Sequence, residues 1–199
     1  IDTTLSLSSV AITASSAVTG GGLCLDGGTA TFSSVDITDN ITTDKGGGLY
    51  CDGTTASMVS VSLTDNDAGN EGGGAYFTDC VVGGSALSVT GNTTSEEGAG
   101  IAVRTDAVMA ISGSDISENH ASKNGGGLYV KDGYVTVSST TFDTNDSDKK
   151  GGGVYIDEHE GSFYSLTFTD NVGKEGAAMF VNDCTVTIDD TTSVSYTHL

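Results

Sequence analysis

The chain has 199 residues, 29 of them glycine, with no proline and no tryptophan, and its 27 acidic against 7 basic residues give a formal net charge of −20. That charge argues against nucleic acid as a partner and keeps particles apart in solution. No 18-residue apolar run and no charged-then-apolar leader is present, so direct membrane insertion of this stretch is not expected, and no window rich in Ala, Leu, Glu and Lys favours a helix.

The chain opens on an alternating segment, Leu5 to Ile12, which reads as the second half of a repeating unit and suggests a fragment uncapped at both ends. At Gly20 begins the first of seven small-residue triplets; the others begin at Gly46, Gly72, Gly98, Gly125, Gly151 and Gly176, at intervals of 26, 26, 26, 27, 26 and 25 residues. Asn40, Asn66, Asn92, Asn119, Asn145 and Asn171 keep the same beat, six residues before a triplet, or five in the last case. A period of this length filling the chain indicates a solenoid.

One unit shows its design. In Gly46-Gly47-Gly48-Leu49-Tyr50-Cys51-Asp52-Gly53, alternation places Leu49 and Cys51 on one face and Tyr50 on the other, and Asp52-Gly53 is a turn. Ala56 to Leu63 alternates again with a slip of phase between Met58 and Val61, the mark of a bend between two short strands. Three inward columns follow across the units. One runs Leu23, Leu49, Ala75, Ile101, Leu128, Val154, Met179. A second runs Leu25, Cys51, Phe77, Val103, Val130, Ile156, Val181, and the third Ile12, Ile37, Leu63, Val89, Ile116, Phe142, Phe168. The expected fold is all-β: a right-handed, single-stranded parallel β-helix of seven to eight coils with three short strands per coil. It covers residues 1–193, and 194–199 read as a non-native tail. A leucine-rich repeat is the structural rival, but a polar turn and a glycine triplet follow each Asn where that family needs a return segment.

The six asparagines are expected to form a structural ladder, each bonding its own turn and the equivalent Asn one coil away. Asn40, Asn92 and Asn145 also head glycosylation sequons, which an inward amide cannot serve. The leading glycine has no exception in seven units, whereas Ala99, Ala177 and Ala178 occur at the second and third places. The leading position is therefore assigned a positive φ, and the other two are assigned only a need for a small side chain. Cys80 and Cys184 lie four coils apart, and Cys24 and Cys51 point to opposite faces, so four unpaired thiols are expected.

Phe142-Asp143-Thr144-Asn145 and Phe168-Thr169-Asp170-Asn171 carry the motif Phe-x-x-Asn, with Ile37, Leu63, Val89 and Ile116 in place of Phe in other units. Gly46 to Leu49, Gly125 to Leu128 and Gly151 to Val154 carry a Gly-Gly-small-aliphatic tetrapeptide, with Gly at the third place. In these motifs nearly the whole chain resembles the repeats of chlamydial polymorphic outer membrane proteins, whose third place is usually Ala and which occur in β-helical autotransporter passengers. The resemblance implies a non-enzymatic, surface-exposed or secreted stalk or adhesin. Its location would be extracellular or at the cell surface, associated with an outer membrane through regions outside this chain. A surface protein or glycan of a host or neighbouring cell would be its partner.

Many polysaccharide lyases and hydrolases are also parallel β-helices, so a carbohydrate-active fragment is the alternative. Against it, Arg104 is the sole arginine, its neighbours in register are Thr78 and Lys131, and His120, His159 and His198 do not cluster. No catalytic residue, cofactor or metal ligand is assigned. Two outward columns remain as candidate surfaces. Tyr50, Tyr76, Tyr129, Tyr155 and Phe180 form an aromatic stripe suited to sugar rings or a flat partner. Thr13, Thr38, Thr64, Thr90, Ser117, Asp143 and Thr169 form a hydroxyl array of the kind that binds ice, interrupted by Asp143 and by Asp36 and Asp115 beside it.

Overall fold

The computed structural model describes residues 3–158 and 160–194; residues 195–199 of the expected tail lie outside them. Every strand pairs in parallel with its counterpart one unit away, for example Leu49–Asp52 with Leu23–Asp26 and with Ala75–Thr78. The result is a solenoid with three sheets. A tyrosine-bearing sheet of seven four-residue strands follows the triplets, from Leu23–Asp26 to Met179–Asn182. A broad sheet comes next. It holds the continuous strands Thr4–Thr13, Thr29–Thr38 and Thr55–Thr64, and in later coils splits into pairs such as Val108–Ser112 and Asp115–Ser117.

The third sheet corrects which segments form the three expected sheets. Its two-residue strands, such as Ile41–Thr42, Asp67–Ala68 and Thr93–Thr94, occupy the segment after each Asn that reads as a polar turn. The two strands inferred around the phase slip belong instead to one sheet. These short strands escape sequence reading because they turn only a small residue inward: Thr42, Ala68, Thr94, Ala121 and Ser147 are all 0–3 % exposed.

Each coil turns four corners, and at each corner one residue adopts left-handed φ, or two at Gly27-Gly28 and Thr105-Asp106. In one coil these are Gly46 (+69°), Gly53 (+57°), Ser60 (+52°) and Asp65 (+52°); in the next, Gly72 (+70°), Asp79 (+51°), Ala86 (+53°) and Gly91 (+68°). The corners recur at steps of seven, seven, five and seven residues. The extra residue of the 27-residue unit sits at one corner, Thr105-Asp106, and the residue missing from the 25-residue unit is lost between Asp170 and Gly176. Ser60 and its equivalents Ser34, Ser139 and Ser165 explain the slip of phase, since a left-handed residue between two extended runs resets which side chains face inward.

All seven leading glycines have φ between +58° and +70°. The other triplet positions are tighter than expected. A Cβ on Gly100 would lie 2.3 Å from the Gly127 carbonyl oxygen, and one on Gly74 2.5 Å from that of Gly100. The third position therefore abuts the next coil's backbone, whereas the second admits Ala99 in mid-stack, buried and with its N–H donating to the Gly125 carbonyl of the next coil. Ala177 and Ala178 fit because, among the described residues, no coil stacks beyond them.

The interior is a stack of the three expected columns. Ile37, Leu49, Leu63, Val89, Ile116, Leu128, Val130, Phe142 and Ile156 are all 0–1 % exposed, whereas Val181 in the last coil is 43 % exposed. Burying a Leu or Ile here contributes about 1.5–3 kcal/mol, and each makes its contacts with adjacent coils. The four-thiol expectation is overturned: Cys51 and Cys80 form a disulfide with Cα atoms 6.5 Å apart. Cys51 points inward at the end of one coil's strand, and Cys80 points inward just past the corner of the next, so their side chains meet in the core at 0 % and 1 % exposure. Comparing only equivalent register positions misses this diagonal. Cys24 remains an exposed thiol, and Cys184 donates to the Ile156 carbonyl at 3.8 Å.

An alanine at a left-handed corner carries strain of about 1–2 kcal/mol, more than the unfolded-state entropy that glycine adds. Ala86→Gly is therefore expected to raise stability by a few tenths of a kcal/mol or more, although Ala→Gly in a strand costs stability. Urea melts check this; a destabilised Ala86→Gly would contradict the corner assignment.

Candidate functional site

The asparagines form one unbroken ladder. Asn66 Nδ2 donates to Asn92 Oδ1 at 3.0 Å and to the Ile37 carbonyl at 2.9 Å, while Asn66 Oδ1 accepts from the backbone N–H of Asn40 at 3.1 Å and from Asn40 Nδ2 at 3.0 Å. Asn92, Asn119 and Asn145 repeat this pattern, and Asn171 accepts the last pair of bonds and donates to the Phe142 carbonyl. Asn40, Asn66, Asn92, Asn119 and Asn145 are 0 % exposed. Every amide hydrogen of the three sequon asparagines is thus committed inside the stack, and a glycan on Asn40, Asn92 or Asn145 is incompatible with this fold.

The aromatic stripe is stacked as its spacing requires, but it is not an open platform. Tyr50 and Tyr76 stack at 5.5 Å, Tyr129 and Tyr155 at 5.0 Å, and Tyr155 and Phe180 at 5.4 Å, all within 5° of parallel. Tyr76, Tyr129 and Tyr155 are only 4–8 % exposed. The corner segments roof them. The Lys45 ammonium lies 4.6 Å from the Tyr76 ring centre and donates to its hydroxyl at 3.1 Å, and Lys150 lies 4.3 Å over Phe180. Sequence alternation correctly puts these rings outside the sheet; it does not reveal that the long corner folds back over them.

In the fourth coil the stripe is interrupted by Ala102, and Arg104 fills the space. Its guanidinium makes a two-pronged contact with the Glu71 carboxylate, lies 4.6 Å over the Tyr129 ring, and donates to the Tyr129 hydroxyl at 3.3 Å. Burial works against the charge on Arg104, but hydrogen bonding and the Glu71 charge outweigh it and raise its pKa. Glu97, one coil beyond Glu71, has its carboxyl raised by burial and by the neighbouring Glu71 charge. Tyr155 is pushed up to about 12 by burial and by Asp157, to which it donates at 3.4 Å, and Tyr129 is raised by burial, against the pull of Arg104. The chemistry gathered here is internal: a cation and a carboxylate neutralise each other beneath a roof.

Other candidate groups are dispersed. His120 Nδ1 meets Asp146 Oδ2 at 3.0 Å on the short sheet, and His159 and His198 lie outside the described residues. Among the described residues no group of His, Cys, Asp and Glu is arranged to hold a metal ion. In the hydroxyl array the side chains bond one another, Ser62 to Thr64 at 2.8 Å and Thr90 to Ser117 at 3.3 Å. The broad sheet's first half carries a surface that alternation alone did not single out: Val81, Val108 and Tyr134, in register on three successive coils, are 53, 42 and 40 % exposed.

Because Tyr129 and Tyr155 keep their protons in the fold beyond the ordinary value near 10, the unfolded chain ionises first as pH rises. Their contribution is intact below about pH 10 and is lost as pH climbs through about 12. Alkaline titration followed by tyrosinate absorbance should show Tyr155 ionising together with loss of β circular dichroism; ionisation well before unfolding would mean the roof is open. Arg104→Met should cost about 2–4 kcal/mol by stranding Glu71, and adding Glu71→Met should recover much of it.

No curated protein and no solved structure matches the chain. A family model described as a right-handed β-helix region matches residues 7–192, the span over which the parallel coils, the inward columns and the asparagine ladder run. The chain belongs to the right-handed β-helix family.

Proposed function

We propose that this chain is a non-enzymatic, surface-exposed or secreted β-helical stalk or adhesin passenger. The observation that carries the reading is the Cys51–Cys80 disulfide, closed in the core between consecutive coils. A disulfide that staples a fold persists in oxidising compartments and is rare in the reducing cytosol, which favours export. The motifs shared with polymorphic outer membrane protein repeats support the same reading. So does the repeat: coils of 25 to 27 residues stacking at about 4.8 Å make a regular scaffold that can be lengthened by adding units.

The rival reading is a fragment of a carbohydrate-active enzyme. Arg104, the sole arginine, is spent on Glu71 and Tyr129, and the tyrosines that sugar rings would stack on are covered. These commitments favour the stalk.

Closing a loop with a sequence separation of 29 stabilises the fold by about 3–4 kcal/mol in the chain-entropy account. Reduction is expected to lower the urea midpoint accordingly. Membrane-impermeant labelling of intact producing cells, followed by non-reducing peptide mapping, should find the chain labelled at the surface with Cys51 and Cys80 linked. A chain shielded inside the cell with both cysteines as thiols would overturn the reading.

A further inference from the structure

The corner between the tyrosine sheet and the broad sheet places an acid in left-handed conformation on five successive coils: Asp79 (+51°), Asp106 (+55°), Asp132 (+57°), Glu158 (+59°) and Asp183 (+45°). All five are exposed. Strand register stacks them in one row. Two residues further along each strand, on the same outward side, stand Val81, Val108 and Tyr134, exposed by 40–53 %. Gly83 and Ala110, both small and exposed, follow in the next outward column. Exposed apolar side chains elsewhere on the broad sheet, such as Val59 and Tyr164, stand singly, whereas here three stand in register on successive coils. In the other coils the places in register are Thr29, Thr55, Glu160 and Thr185, so the apolar row spans three coils and ends on an acid.

We propose that this two-row face, acidic along one edge and apolar along the other, docks a cationic amphipathic helix lying along the solenoid axis. Charge complementarity fixes the sign of the partner. The acidic row contains no basic residue, and among the described residues only its fourth member, Glu158, is paired with a cation, Lys131 at 3.5 Å. A second copy of this chain does not fit. It brings a further charge of −20, and Lys45, Arg104, Lys123, Lys131 and Lys150 are already held by acids of their own chain. Geometry selects the helix. The rows repeat along the axis at about 4.8 Å, close to the helical pitch of about 5.4 Å, so three coils can meet three successive turns. An extended peptide on the same line presents side chains on one face about 6.6 Å apart and falls out of step. Desolvation of the apolar row supplies attraction, and the acids supply orientation and rate of encounter. The inference is independent of export: it concerns the folded surface wherever the chain resides.

The test uses the whole chain and a labelled Lys/Leu amphipathic helical peptide of about 15 residues, with fluorescence anisotropy at low and physiological salt. Wild type is expected to bind, more weakly as salt rises. Asp79→Asn/Asp106→Asn/Asp132→Asn should weaken binding at least tenfold, and Val108→Thr/Tyr134→Thr should do so without changing the salt dependence. Asp36→Asn/Asp65→Asn/Asp115→Asn removes the same charge from other places and should bind within about twofold of wild type. All variants are first checked for an unchanged β circular dichroism spectrum and melting midpoint, and Asn suits left-handed corners as well as Asp does. No binding by wild type at low salt, or equal losses in the two acid-to-amide triples, would overturn the proposal. Retained affinity in Val108→Thr/Tyr134→Thr would do so too, because it would leave only diffuse attraction between opposite charges.

Discussion

A buried carboxamide that gives two hydrogen bonds and accepts two ties each coil of this protein to the next. In the middle of the stack Asn66, Asn92, Asn119 and Asn145 are 0 % exposed, and each bonds the coils on both sides of it. A buried amide left half-satisfied costs about 1–3 kcal/mol, so the ladder cannot slip by one residue anywhere without penalty. That constraint fixes the period. Where the chain gains a residue it does so at the Thr105-Asp106 corner, and where it loses one it does so within the strand Val172–Glu175, whose register shifts against Ser147 to Lys150 while the ladder and the tyrosine sheet stay in step. The left-handed corners are what make so short a period geometrically possible.

The same regularity decides what happens to chemically capable side chains. With corners fixed, the segment leading to each triplet folds back over the outward face of the tyrosine sheet and covers it. Rings stack at coil spacing, and lysines settle on them from above. Where Ala102 leaves a gap, Arg104 and Glu71 occupy it as a pair. The effect is a second, polar-roofed core outside the sheet, which explains how a chain with modest apolar content stabilises its stacked coils. The broad sheet has no such roof, so its outward residues meet solvent directly and are where recognition has room to occur.

Much of this architecture was legible in residue spacing, because a solenoid writes its period into the sequence. The triplets, the asparagines and the alternation around Leu49 and Cys51 locate the coil, its inward columns and its ladder. The intolerance of the leading triplet position to Ala marks a left-handed backbone. What was not legible depends on neighbours that spacing does not report. The two-residue strands after each Asn bury only Thr, Ala or Ser and look like turn. The Cys51–Cys80 bond runs diagonally between coils and vanishes when only equivalent positions are compared. The tyrosines read as an open stripe because alternation gives the side of a sheet and says nothing of what folds over it. Val81, Val108 and Tyr134 fall on a polar face in most units and gain meaning only when three coils are set in register.

The claim on which everything else rests is that the asparagine ladder locks adjacent coils. Amide hydrogen exchange on Asn92→Ala tests it most directly, because the backbone N–H of Asn66 donates to Asn92 Oδ1 at 3.0 Å and to no other side chain. The Asn66 amide should exchange at least tenfold faster than in wild type, with protection falling in the strands of both flanking coils and holding in the distant ones. Unchanged protection at Asn66, with the coils still in register, would show that the backbone ladders alone set the stack.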